Sequence, residues 1–428
     1  MHVGAIAAVM VLAGALLGSS RAAAQDDAAL LRDGLFIRDR NVSVAERPKP
    51  EYESLPVRVG AFLVAPSVDG AVTYDDNIYA SAAKGAADGI VTIAPSFSLA
   101  SDWPRNQISG FAKLAQSLYL DHSGEDTTNY AVGLAGRLDA RRDLGVAGGL
   151  GLERDTEPRT SEASPAGAIH PVQYELAAGW IESAKTFDRL RLTARGSIQD
   201  YAFDNAQTPG GGAIDQHDQD RTESVAAGLA EYVYSPELSF LTNLTANRRQ
   251  YRDAAPGEAS RTSSGYEATV GASFDLARLA RGEIRVGYLD QAYENPAFKR
   301  VNGAALQGKV EYFPTPITTV TATASRSVQD SGIEGVSGYI AETAGVQIDH
   351  ELLRNLVLSA HLTYADNHYP AYSRKDDIQT AWANASYLMN RVVSLALKYE
   401  RLIRRSRGAD AGQEYAVNRV MAAITCRF

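Results

Sequence analysis

The chain closes on NRVMAAITCRF, residues Asn418 to Phe428, and the reading of these eleven residues decides the fold. Val420, Ala422, Ile424, Cys426 and Phe428 form one alternating set, and Arg419, Met421, Ala423, Thr425 and Arg427 the other. A period of two places the first set on an apolar face and the second on a mostly polar one, which is a β-strand. In a membrane barrel it would be the closing strand, with Phe428 in the interfacial aromatic girdle and serving as the barrel-assembly signal.

The same period recurs upstream. Tyr266, Ala268, Val270, Ala272, Phe274 and Leu276 alternate with Glu267, Thr269, Gly271, Ser273 and Asp275. Leu190, Leu192, Ala194, Gly196 and Ile198 interleave with Arg191, Thr193, Arg195, Ser197 and Gln199, an order that a 3.6-residue period forbids. Eighteen such segments are predicted, beginning near residues 66, 90, 107, 130, 144, 173, 189, 223, 238, 265, 283, 304, 317, 339, 355, 378, 392 and 415. The fold class is therefore all-β: a transmembrane antiparallel up-and-down barrel of about 18 strands, the even number that puts both termini on one side.

The connections alternate in length. SDWPRN, ARRD, YSPE, FPTP, LLRN and MNR are short; ERDTEPRTSEASPAGAIH and FDNAQTPGGGAIDQHDQDR are among the long ones between them. Short periplasmic turns and long external loops are the outer-membrane asymmetry, and they place Phe428 on the periplasmic side. No connection reads as a folded plug, although the one around Gly210, Gly211 and Gly212 could bend inward.

At the front, an apolar run from Val3 to Leu17 leads to Ala22-Ala23-Ala24, so residues 1–24 read as a secretory signal. Residues 25–60 read as an extended periplasmic lead-in without a defined element, and 61–428 as the barrel. The sole cysteine, Cys426, excludes an intrachain disulfide. A formal charge of −9 with no basic stripe argues against nucleic-acid partners.

Charges face lipid at a cost of about 2–4 kcal/mol at the midplane, so alternation directs them to the lumen. The predicted pore wall holds Lys113, Arg137, Glu175, Arg191, Arg195, Arg249, Glu267, Glu283, Arg285, Lys309, Glu311, Lys398 and Glu400. Both signs are mixed, as for a hydrated solute of low net charge. A one-sign selectivity ring is not visible. Asp215, His217, Asp218 and Asp220 could hold a divalent cation, but no coordinating pattern completes the site, and no metal or cofactor is expected. No Ser, His and carboxylate set suggests an enzyme, and His361 reads as a wall residue. Arg404, Arg405 and Arg407 end a strand on the outer side, where they read either as partners of lipopolysaccharide phosphates or as part of a plain solvated loop.

The stretch VAERPKPEYESLPVRVGAFLVAPSVDGAVTYDDNIYAS, Val44 to Ser81, resembles a family of β-barrel porins of proteobacterial outer membranes. The matching features are Glu-Arg-Pro-x-Pro, Gly60 to Pro66 entering the first strand, and Tyr74-Asp75-Asp76-Asn77 near its outer end. The resemblance implies an outer-membrane location, assembly by the barrel-assembly machinery, and no catalytic motif. It also implies a link to exopolysaccharide export beside a periplasmic polysaccharide-export protein. The expected function is the outer-membrane conduit of such a system. The alternatives are a general diffusion porin for small hydrophilic solutes and a non-conducting structural barrel.

Overall fold

In lipid a strand is stable when both of its backbone edges are paired, and a closed sheet achieves that for every strand at once. The computed structural model describes residues 41–82, 85–165, 167–252, 259–277, 279–333, 336–370 and 372–428. The segment read as a signal, residues 1–24, lies outside them. A short β1 (Val57–Val59) leads into β2 (Phe62–Asp75), β3 (Asp88–Ser101), β4 (Gln107–Tyr119) and β5 (Thr127–Arg141). Next come β6 (Leu144–Thr156), β7 (Gln173–Phe187) and β8 (Leu190–Phe203). A two-rung hairpin of β9 (Ala206–Gln207) and β10 (Ala213–Ile214) occupies the following loop. The wall resumes with β11 (Arg221–Ser235), β12 (Leu238–Tyr251), β13 (Ser263–Leu276), β14 (Ala280–Tyr293), β15 (Val301–Thr315) and β16 (Thr318–Asp330). It ends with β17 (Gly338–Leu353), β18 (Leu356–Tyr369), β19 (Arg374–Leu388), β20 (Val393–Arg407) and β21 (Tyr415–Arg427).

Each long strand pairs antiparallel with its sequence neighbour, β8 with β11 across the small hairpin, and β21 returns to β2. The result is a closed barrel of eighteen strands, β2 to β8 and β11 to β21. Every predicted strand start lies within four residues of an observed one. Register shifts fall at Asp139/Arg141, Val233/Ser235, Tyr312/Thr315 and Glu351/Leu353, all at the short-turn rim, where bulges end a ladder.

Closure is staggered. β21 covers β2 from Ser67, opposite Arg427, to Asp75, opposite Arg419. The Phe428 amide adds a bond to the Pro66 carbonyl at 3.1 Å. The overhanging start of β2 is covered instead by β1, with Val57 opposite Val64 and Val59 opposite Phe62. The seam-side edge of β2 is thus covered by β1 from Phe62 to Val64 and by β21 from Ser67 to Asp75.

The outward face carries Val72, Ile93, Leu134, Leu150, Ile181, Ile198, Leu244, Val270 and Leu397, all exposed. Exposed aromatics flank that band. Tyr74, Tyr130, Tyr266, Tyr288 and Tyr364 stand toward the loops, and Phe187, Tyr232, Tyr234, Tyr312, Tyr387 and Phe428 toward the short turns. These are the two interfacial girdles of a membrane barrel. Helices contribute nothing to the span: no helix among the described residues is long and apolar enough to cross a membrane.

Adjacent residues of one strand test this assignment. Leu244 faces out between Gly228 and Ala268, and Thr245 faces in between Ala227 and Glu267. Leu244→Lys should lower unfolding stability in lipid by about 2–4 kcal/mol, while Thr245→Lys should change it little. Urea titration followed by the gel-mobility shift between folded and unfolded barrel would measure both.

Candidate permeation pathway

Residues i and i+2 of a strand share a face, so inward charges can pair along a strand as well as across it. Glu283 meets Arg285 at 2.9 Å, Lys309 meets Glu311 at 3.1 Å, Lys398 meets Glu400 at 2.7 Å and Arg137 meets Asp139 at 3.1 Å. Glu400 continues to Arg419 at 3.5 Å, and Arg419 to Asp75 at 2.7 Å, crossing the seam. Arg195 reaches Glu182 at 3.4 Å and lies over the Trp180 ring. Glu267 accepts a bond from Gln307 at 3.4 Å. Arg191 is buried in the wall and Lys113 lies over Phe111. Arg249 binds Asp330 at 2.7 Å, joining β12 to the end of β16 four strands away.

Strand register thus puts Lys113, Arg137, Arg191, Arg195, Arg249, Glu267, Glu283, Arg285, Lys309, Glu311, Lys398 and Glu400 on the inward face. Glu175 is a correction. It stands opposite Arg154 on β6 and shares its face with the exposed Ile181, so it points outward. It remains soluble there because it lies beyond the apolar band and pairs with Arg154 at 3.2 Å. Small inward residues carry large rings laid flat against the wall. At Gly149 a Cβ would sit 2.8 Å from the Trp180 ring nitrogen, so only glycine leaves that ring its place.

The outer mouth departs from the sequence expectation. The described part of the connection between β6 and β7, residues 157–165 and 167–172, crosses it. On the near side Arg159 holds the Glu125 carboxylate through two bonds, at 2.9 and 2.6 Å, in a fork geometry that fixes the loop's direction. On the far side the Tyr415 hydroxyl donates to the Thr160 carbonyl at 2.5 Å, and the Tyr369 hydroxyl donates to the Glu162 carboxylate. Tyr369 is on β18, nine strands from β7, which is half of the eighteen. It is fully buried and sits beside Asp376, which takes bonds from Arg374 at 2.8 Å, Arg404 at 2.6 Å and Ser406 at 2.5 Å. The loop between β16 and β17 closes in as well, leaving no room for a Cβ at Gly332 against Ala163. The glycine loop, which the sequence left free to bend inward, forms a hairpin. Its hairpin backs the crossing loop, with the Ile169 amide donating to the Gln207 carbonyl at 2.8 Å, while Gly210 to Gly212 stay exposed.

The inner mouth is lined by the lead-in. Asn41 binds Asp275 at 2.5 Å, the Val44 amide donates to Thr319 at 3.0 Å, and Arg47 meets Glu351 at 3.0 Å. Arg354 then donates to the Pro48 carbonyl at 2.9 Å and Arg391 to the Pro50 carbonyl at 3.2 Å. Val44 is almost wholly buried. Burial pushes the Glu46 carboxyl up, but the bond and charge of Arg281, helped by Ser43, outweigh it and hold the group below its ordinary value.

The acidic outer loop does not converge. Asp218 turns to Arg261 at 2.8 Å, and Asp220 takes the Phe203 amide at 2.7 Å and the His217 ring at 3.1 Å. Among the described residues no group of three or more His, Cys, Asp or Glu could hold a metal ion. His361 lies on the inward wall, stacked on Trp382 with ring centroids 5.1 Å apart.

A family model described as Putative beta-barrel porin 2 matches residues 49–428. The chain belongs to this family. The porin also resembles solved outer-membrane channels in architecture. OpdK of Pseudomonas aeruginosa has a TM-score of 0.47 at 9% identity, over 85% of this chain and 99% of that one. OccK2 (OpdF) of Pseudomonas aeruginosa gives 0.49 at 11%, over 86% and 98%. OccAB3 of Acinetobacter baumannii gives 0.48 at 11%, over 86% and 100%. No curated protein matches. The porin is an outer-membrane protein of the Gram-negative envelope.

Two expectations about this porin follow from its mouths. Replacing residues 160–169 by a short Gly-Ser linker should raise single-channel conductance in planar bilayers, whereas shortening the hairpin tip at 209–212 should not. The lead-in should respond to acid. Glu46 has a depressed value, so its contribution is complete above the ordinary 4.5 and is lost as pH falls through the lowered one. Hydrogen exchange over residues 41–53, corrected for intrinsic rate, should show steady protection from neutral pH down to about 5 and loss below that. Glu46→Gln should show the weakened protection at neutral pH.

Proposed function

We propose that the porin is a passive diffusion channel for small hydrophilic solutes, narrowed at its outer mouth by residues 157–172. The observation that carries this reading is the inward wall, where charges of both signs lie within ion-pair distance of one another, as in the run Lys398, Glu400, Arg419 and Asp75. Such a wall keeps a water column hydrated without trapping one sign of ion. Eighteen strands enclose room for that column.

The export reading fits the outer mouth less well. A polymer passing outward would have to displace a loop clamped to Glu125 on one wall and to Tyr369 and Tyr415 on the other. A periplasmic polysaccharide-export protein is accordingly not among the partners we assign. Those are the lipids of the outer membrane and the barrel-assembly machinery, with Phe428, outward and exposed at the periplasmic end of the seam, as the residue recognised.

The test is reconstitution. Purified porin should conduct in planar bilayers with weak preference between potassium and chloride, and proteoliposomes should admit a monosaccharide faster than a trisaccharide. Closed behaviour of both the native chain and the loop-shortened variant would remove the diffusion reading. Loss of surface polysaccharide on gene deletion, with solute uptake unchanged, would restore the export reading.

A further inference from the structure

Above the apolar band, the outward face of the barrel carries a belt of charges, and most of it is closed on itself. Arg154 pairs with Glu175 at 3.2 Å and Asp204 at 2.5 Å. Arg248 pairs with Glu294 at 3.0 Å, Arg252 with Asp200, Arg300 with Asp290 at 2.8 Å and Arg326 with Glu342 at 2.7 Å. Each of these cations has a carboxylate.

The sector formed by β18, β19 and β20 is different. Its outward residues at the loop end include the cations Lys375, Arg401, Arg405 and Arg407 and the acids Asp366 and Asp377. Lys375 takes Asp366 at 2.5 Å, and Asp377 is shared by Arg407 and the Tyr364 hydroxyl, the latter at 2.6 Å. Among the described residues, Arg401 and Arg405 have no carboxylate within ion-pair distance, and both are exposed. Arg404, which the sequence grouped with them, faces inward and is buried against Asp376. The patch is therefore made by parity: Arg401, Arg405 and Arg407 share one face, and Lys375 is the register partner of Arg407.

We propose that this sector binds the phosphate groups of a phosphorylated glycolipid in the outer leaflet, given that the long loops face the cell exterior. Arg401 follows Tyr399, an exposed outward tyrosine on the loop side of the apolar band, by two positions, at the height where acyl chains give way to head groups. A guanidinium there buries its stem along the wall and lifts its charge to the interface. Arg401 and Arg405 stand about 13 Å apart along the strand, far enough to hold two separate phosphates. An unpaired guanidinium beside a phosphate gains charge-assisted, bidentate bonds without first breaking an ion pair. The closed pairs elsewhere in the belt would have to be broken to do the same, which localises the lipid to this sector.

The test uses the full chain, freed of lipid in detergent and kept in EDTA so that metal bridges to carboxylates do not contribute. Native mass spectrometry counts bound diphosphorylated lipid A. The double variant Arg401→Gln and Arg405→Gln should bind it about 25-fold more weakly, or about fivefold per arginine. The triple variant Arg154→Gln, Arg248→Gln and Arg252→Gln should bind as the native chain does. The gel-mobility shift reports that each variant is folded, and Arg405→Gln alone, expected to lose about fivefold, serves if the double variant is not. Equal binding by the native chain and the β20 variants overturns the proposal, as does equal binding of dephosphorylated lipid A. Displacement of the lipid by inorganic phosphate at matched concentration would also overturn it, since the site would then be one for free anions.

Discussion

The whole molecule depends on the pairing of β21 with β2. A peptide group left unbonded in hydrocarbon costs several kcal/mol, so an open sheet of seventeen ladders would have two unacceptable edges and a closed one has none. That single condition fixes much else. It demands antiparallel neighbours of matched length, it brings residues some 350 positions apart into register, as Asp75 and Arg419 are, and it makes side-chain parity an absolute choice between lipid and lumen. The overhang of β2 at the seam, covered by β1 rather than by β21, shows the same requirement met locally by a second segment.

Parity in turn explains where the charge goes and how it behaves. Inside, acids and bases lie within reach of one another along and across strands, so the wall is polar but not strongly of one sign. Beyond the apolar band the outward face is free to be charged again, and it is. The outer mouth follows a different rule. The loop that crosses it is held by side chains from three regions of the wall, with Tyr369 and Glu125 buried at its two anchor points. Its position is a matter of packing and hydrogen bonding, not of the membrane.

The legible part of the sequence is the part that the membrane dictates. Strand existence, strand number, and the inward placement of residues such as Glu267 and Lys398 all follow from alternation against lipid. Legibility fails where lipid stops. β19 begins at Arg374 and not at Ile378, because Arg374-Lys375-Asp376-Asp377 extends the ladder above the membrane, where neither face need be apolar. Glu175 was misplaced for the same reason: beyond the band, charge no longer reports direction. The crossing of the mouth by residues 157–172 was hidden more deeply. Its anchors, Tyr369 and Tyr415, lie more than 200 residues downstream, and no local pattern ties Glu162 or Thr160 to them. Length and three prolines, Pro158, Pro165 and Pro171, were the sole local hint.

The lead-in has a consequence for the order in which the molecule is made. Asn41 to Pro50 leave the ribosome before any wall strand, yet their partners are Asp275, Thr319, Glu351, Arg354 and Arg391, at separations of 234 to 341 residues. Contacts of such separation form late, after the intervening chain has been arranged. The first described residues of the chain are thus among the last to dock, and their arrival at the inner rim marks a barrel in which β13 to β20 are already in place.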